Sequence, residues 1–196
     1  MKKLIYLLGW LFVLTVAFPT AGVSQTRQLT KKEQRKLEKQ KKKAERQKKS
    51  EAERKYYARL LKDKYWVFQA TRLYGPNGQL FNVSPTINFV AVKDSMIVLQ
   101  FGFQNVMGWN GVGGVTAEGF LKDYQFDQGK NKKAAMTVSA HIRPKFGGGS
   151  PYFTMTILND GSTDINVTLD NGEMLRMGGQ LYAPKDASVY KGTTFP

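Results

Sequence analysis

At 196 residues, with a formal net charge of +15 and no cysteine, the chain has room for one domain and its attachments and can form no disulfide, thiolate nucleophile or cysteine metal site. The charge is local: 17 Lys and Arg face six acids between Arg27 and Lys64, whereas 11 basic and nine acidic residues follow from Tyr65 onward. A uniformly basic nucleic-acid-binding domain is therefore excluded, and the basicity belongs to one segment.

The chain opens with Met1-Lys2-Lys3, the apolar run Leu4 to Phe18, and the small residues Thr20, Ala21, Gly22 and Ser24. These are the three regions of a secretory signal peptide, with cleavage expected after Ser24. The apolar run is shorter than the ~20 residues that span a bilayer comfortably. Export to the periplasm or cell envelope is expected, and no nucleic-acid partner.

Residues 25–64 read as a Lys/Glu-rich helical arm. It has no Gly or Pro between Thr30 and Lys64 and opens with Thr30-Lys31-Lys32-Glu33, an S/T-x-x-E capping box. Glu38 with Lys42, Glu45 with Lys49 and Glu51 with Lys55 stand four apart in the favourable order. Leu37, Ala44 and Ala52 recur at about the coiled-coil heptad, but without the second apolar position that a stable coiled coil needs. Only Tyr56, Tyr57, Leu60 and Leu61 offer a face that can dock on a domain. The arm is expected to act as a solvated spacer or as a contact to an anionic surface such as lipid head groups.

From Tyr65 the composition changes to β-branched and aromatic residues punctuated by turns, and residues 65–184 are expected to form an all-β domain. Tyr65 to Tyr74 and Gln79 to Val83 flank Gly75-Pro76-Asn77-Gly78, a strong hairpin signal. Ile87 to Val92 and Met96 to Phe103 make a second hairpin around Lys93-Asp94-Ser95. Val115 to Phe126 is a long strand, followed by a polar turn to Lys133. The last strands alternate cleanly: Met136, Val138, Ala140 and Ile142, then Phe153, Met155 and Ile157, then Ile165, Val167 and Leu169 face one side with polar residues between them. Trp66-Val67-Phe68 and Ile97-Val98-Leu99 are apolar on both faces, which predicts cover on both sides. Met174 to Ala183 closes a series of about nine strands, and 185–196 is expected to be a tail from which Tyr190 and Phe195 can dock. Short strands at regular spacing with no helix between them argue a single antiparallel meander, barrel-like or a two-layer sandwich, with the barrel favoured.

The stretch around which this domain is organised is Gly108 to Gly119, GWNGVGGVTAEG, with five glycines in twelve residues. Such a run needs positive φ or close approach of another segment at several points. It is expected to be a loop that stiffens into a strand from about Val115, closing a small barrel with a bulge. A ligand-contacting rim is the functional alternative.

Asn88-Phe89-Val90-Ala91-Val92, the glycine run itself and Gly179-Gln180-Leu181-Tyr182-Ala183-Pro184 together resemble the motifs of the bacterial family DUF4251. That family's plan of exported leader, Lys/Glu-rich helix and β domain resembles this chain over nearly its full length. Trp109 stands where a proline is expected, and Gly147-Gly148-Gly149 is a local variation. The resemblance implies no activity and no ligand.

Catalytic constellations are thin. His141, the single histidine, falls on the wet face of its strand beside Ser139 and Arg143 and reads as a solvated strand residue. Glu118 is the most interesting acid because it lies within the glycine motif. A hydrolase of cell-envelope polymers would use it as a general acid, but Asp123, five residues on, falls on the opposite strand face. Gly111, Gly113 and Gly114 do not make a phosphate loop, since no lysine and no helix follow. No catalytic residue, metal site or cofactor is expected. The candidate ligand contacts are Asn88, Trp109, Asn110 and Glu118, serving a non-enzymatic module that binds an apolar or envelope-derived ligand or a protein partner. Its cavity is expected to be lined by Trp66, Phe68, Phe89, Phe101 or Trp109. A purely structural envelope protein is the remaining alternative. Asp94-Ser95-Met96 in its hairpin turn also resembles a short acceptor pattern for O-linked sugars.

Overall fold

The computed structural model describes residues 30–75, 77–102, 111 and 113–192. The expected signal peptide, Trp109, Asn110 and Phe195 lie outside the described residues. Among the described residues one helix, α1 (Lys31–Lys62), precedes nine strands: β1 (Tyr65–Tyr74), β2 (Leu80–Asn82), β3 (Phe89–Lys93), β4 (Met96–Gly102), β5 (Gly114–Asp127), β6 (Met136–Pro144), β7 (Tyr152–Ile157), β8 (Ser162–Thr168) and β9 (Met174–Tyr182). Residues up to Lys39 form one unit and those from Gln40 a second.

In the first unit the capping box forms as its spacing requires. Thr30 donates from its backbone N–H and its hydroxyl to Glu33 Oε2 at 2.8 and 2.9 Å, and Glu33 N returns a bond to Thr30 Oγ1 at 3.3 Å. These bonds hold the Glu33 carboxyl below its usual range.

In the second unit every neighbouring strand pair is antiparallel, and β1 pairs with β9 as well as with β2 and β3. The result is a closed barrel of eight strands, β1 and β3 to β9, with β2 as an extra strand. β1 takes both roles because one of its edges carries β3 along Tyr65–Gln69 and then β2 along Arg72–Tyr74, while its other edge carries β9. Closure removes the open sheet edges that a meander would expose. It also explains the period-two pattern, because the alternate apolar residues all point inward. Trp66, Phe68, Phe153, Met136, Met155, Ile165, Met177 and Leu181 are buried there almost completely.

The last turns of α1 close one end of the barrel. Leu61 and Ala58 join the core, with Tyr57 and Leu60 partly buried against it. Arg54, 6 % exposed, crosses to the strand connections: Nη1 donates to Ala134 O at 2.6 Å and Asn159 Oδ1 at 2.7 Å, and Nη2 donates to Gln128 O. No carboxylate takes part in these bonds, so neutral oxygens satisfy this buried cation. Glu51, expected to pair along the helix with Lys55, accepts instead from Lys132 at 2.8 Å, which lowers its carboxyl from the usual range. Tyr124 of β5 donates its hydroxyl to Leu61 O at 2.8 Å, and burial pushes that phenol up to about 12. The indole N–H of Trp66, buried without a hydrogen-bond partner, faces the same hydroxyl and opposes the effect of burial.

The tail runs across the outside of the barrel as a strap. Gln69 Nε2 donates to Ser188 O at 2.8 Å, Gln100 Nε2 to Tyr190 O at 2.7 Å, and Gly192 N to Gln100 Oε1 at 2.7 Å. Tyr190 N completes the track on Thr86 O. Gln69, Phe89 and Gln100 are successive partners in register on this outer face. Phe89, between the two strapped amides, is therefore only 2 % exposed, and Val67 on the same face is buried as well.

Candidate functional site

The described residues leave an apolar space at the barrel end away from α1. β6 and β8 run from the helix-capped end to this one, β7 begins here, and β5 begins here at Gly114. An apolar cavity of about 120 Å³ opens there between Ile97, Leu99, Ala117, Gly119, Ile142, Pro144, Pro151, Val167 and Leu169, with Glu118 at its edge. The local reason is the spacing of small residues. Gly119 faces inward opposite Ile97, where a Cβ would press on Arg143 O and Ile142, and Ala117 faces Leu99. Glycine and alanine on β5 leave unfilled the layer that Phe and Met fill nearer the helix.

The glycine run shows the backbone its composition requires. Gly111 and Gly113 have φ of +73° and +80°, and β5 begins at Gly114, where a Cβ would collide with the Phe101 carbonyl. The expected bulge, however, falls further along. The β5–β6 register shifts between Lys122 and Gln125, around Asp123 with φ +52°.

Glu118 lies on the outer side of β5 opposite Val98. Its Oε2 accepts from Lys145 Nζ at 2.8 Å, and its Oε1 accepts from Lys191 Nζ of the strap. Lys145 N also donates to Glu118 O at 2.8 Å, which ties the start of the β6–β7 connection to β5. Asp123, expected on the face opposite Glu118, is turned by the β5–β6 bulge to the outer side as well and faces His141, with Oδ2 3.6 Å from Nδ1 in an exposed contact, and the His141 ring packs 4.9 Å from that of Tyr152.

Asn88 proves to be an internal brace. It is fully buried, its Nδ2 donates to Ser84 O and Gly102 O at 3.0 and 2.9 Å, and its Oδ1 accepts from Gly102 N at 3.0 Å. The backbone thus engages both the amide nitrogen and the amide oxygen of Asn88. The expected cavity lining is corrected too. Trp66 and Phe68 belong to the filled core and Phe89 lies under the strap, so none of the three lines the cavity. Among the lining residues the sequence singles out Glu118 as a contact and marks Ile142, Val167 and Leu169 only as inward-facing, while Ala117, Pro144 and Pro151 carry no chemistry that would mark them. Leu169 ends the inward series Ile165, Val167, Leu169 and is 40 % exposed, as a rim residue is.

Among the described residues no group of three or more His, Asp or Glu gathers to hold a metal, and no helix is long and apolar enough to cross a membrane. The start of α1 presents Lys31, Lys32, Arg35, Lys36 and Lys39 around a shallow groove. Asp94 and Ser95 form an exposed two-residue turn with Asp94 at φ +57°.

The family model of a domain of unknown function, DUF4251, matches residues 48–181. A DUF4251 family protein from Bacteroides eggerthii DSM 20697, known from its crystal structure, is 25 % identical with a TM-score of 0.55, over 70 % of this chain and 90 % of that one. No curated protein matches.

Proposed function

The chain belongs to the DUF4251 family, and on that premise we propose that its barrel is an exported, non-enzymatic binding module whose open end takes an apolar group from an envelope-derived ligand or a protein partner. The observation that carries this reading is the cavity of about 120 Å³ with its apolar lining. Sites for drug-sized ligands measure ~300–1,000 Å³, so this one suits a single ring, a side chain or a chain end. The leader, Met1 to Ser24, supports export, and the basic start of α1 supports contact with an anionic surface or a spacer role. The non-enzymatic reading is supported by the geometry at Glu118, whose two carboxylate oxygens accept from Lys145 and Lys191.

The test is native mass spectrometry with small-molecule extraction on protein purified from its own host's envelope fraction. A co-purifying molecule or partner is expected, and it should be lost in Ala117→Trp, which fills the cavity from its mouth. Retention of the same molecule by Ala117→Trp removes the cavity as the site. A protein that carries nothing leaves the barrel as a structural element.

A further inference from the structure

We propose that the open end is selective for a monoanionic ligand with a short apolar body. The body, about one aromatic ring or a chain of a few carbons, enters the cavity, and the carboxylate or phosphate meets Lys145 and Lys191. This rests on the binding reading above and adds the charge and size of what is bound.

The size follows from the volume. A dry apolar cavity of ~150 Å³ accepts benzene, and the cavity here is about 120 Å³. A longer chain cannot enter it while its head group stays at the rim.

The charge follows from the order in which solvent meets the rim residues. The Glu118 side chain is 11 % exposed, whereas Lys145 and Lys191 are 39 % and 45 % exposed. The carboxylate sits behind and the two ammonium groups sit in front of it. Two ammonium groups share one carboxylate, and each keeps donors beyond the one it gives to Glu118. Glu118 therefore acts as a support that holds both lysines at the cavity edge.

Backbone contacts fix Lys145 near that edge, whereas Lys191 is carried by the strap on the outer face and reaches the edge through its ion pair with Glu118. Lys145 follows Pro144, itself part of the lining, and its N–H is bonded to Glu118 O. Lys191 lies between Tyr190 and Gly192, both of which are bonded to the buried amide of Gln100. Other charges stand at this end as well: Asp170 accepts from Ser150 N, Glu173 lies in the turn between β8 and β9, and the Arg143 guanidinium lies over the Phe120 ring. An anionic head group beside an apolar slot is the ligand chemistry that this arrangement fits.

The experiment is an NMR titration of the mature protein at low salt with three probes of one length: hexanoate, 1-hexanol and hexylammonium. Hexanoate is expected to shift the methyl signals of Leu99, Ile142 and Val167 and to bind about tenfold or more tighter than hexylammonium, a preference that weakens as salt screens it. In Lys145→Gln/Lys191→Gln that preference should vanish while 1-hexanol binds as before. Equal binding of hexanoate and hexylammonium overturns the charge selection and leaves the apolar site standing. Hexanoate shifts confined to the lysines, with the methyls unmoved, overturn it as an ion contact outside the cavity. Binding to anionic vesicles without any hexanoate shift transfers recognition to a membrane surface and overturns it as well. If none of the three probes moves the methyls, the cavity is no ligand site, and the proposal fails together with the small-ligand form of the reading it rests on.

Discussion

The junction of helix and barrel depends on Arg54, and Arg54→Met tests how much. The substitution keeps an apolar stem but removes the donors to Ala134 O, Asn159 Oδ1 and Gln128 O. A hydrogen bond from a charged group contributes ~1.5–3 kcal/mol, yet the three do not simply add. Asn159 keeps its own bonds to Ser50 Oγ and Lys132 O, and water can reach carbonyls in surface connections. A loss of about 3 kcal/mol follows, which for a domain of this size is a fall of roughly 6–12 °C in Tm. Arg54→Lys should recover less than half of it, because a single ammonium cannot reproduce the guanidinium fork. The assay is urea unfolding followed by circular dichroism, with Leu61→Ala as reference at ~2–5 kcal/mol for a fully buried leucine. If Arg54→Met costs less than about 1 kcal/mol while Leu61→Ala costs its full amount, the helix is held by apolar packing alone and the reasoning is refuted.

Two further outcomes follow from the fold. The Tyr124 phenol is pushed up to about 12 by burial, against ~10 in an unfolded chain; below pH 10 both states keep the proton, and between about 10 and 12 the unfolded state alone loses it. Stability should fall across that window by up to ~2.7 kcal/mol, and Tyr124→Phe should flatten the slope only in part, since burial raises Tyr56 and Tyr57 as well; an unchanged slope in alkaline urea titrations would contradict the assignment. Gly114→Ala, whose Cβ meets the Phe101 carbonyl, should cost about 3 kcal/mol or prevent folding, whereas Gly148→Ala, which points into open space, should stay within ~0.5 kcal/mol in thermal melts.

The strands and turns were legible because each is a local matter. Alternation marks a strand with one buried face, and Gly75 to Gly78 and Asp94-Ser95 mark the reversals. The helix start was legible for the same reason, since Thr30 and Glu33 satisfy each other within one turn. The outer cover of β1 and β3 could be only half read. Val67 and Phe89 announce by their apolarity that something covers them, but the cover is a tail about a hundred residues away, and its grip is the backbone of Ser188, Tyr190 and Gly192. A backbone grip leaves no side-chain pattern to read. Arg54 was hidden likewise, since a buried arginine in a Lys/Arg-rich helix looks like its solvated neighbours.

The three stretches that resemble the family turn out to share one physical role. Asn88 clamps the approach to β3 onto the end of β4 through Gly102. Gly114 lets β5 approach the Phe101 carbonyl. Gly179 lets β9 approach Gln69 at the β1–β9 seam, where a Cβ would meet the Gln69 carbonyl. All three are places where backbone meets backbone too closely for an ordinary side chain, or needs an amide to finish it, and together they brace and close the barrel. They specify the fold, and a fold does not specify a function. The residues around the cavity, Ala117, Glu118, Lys145 and Lys191, lie beside these marks, and only Ala117 and Glu118 fall inside one of them. A relative can therefore keep every mark of the barrel and still change the charge at its mouth, so the ligand class must be read from that rim in each member separately.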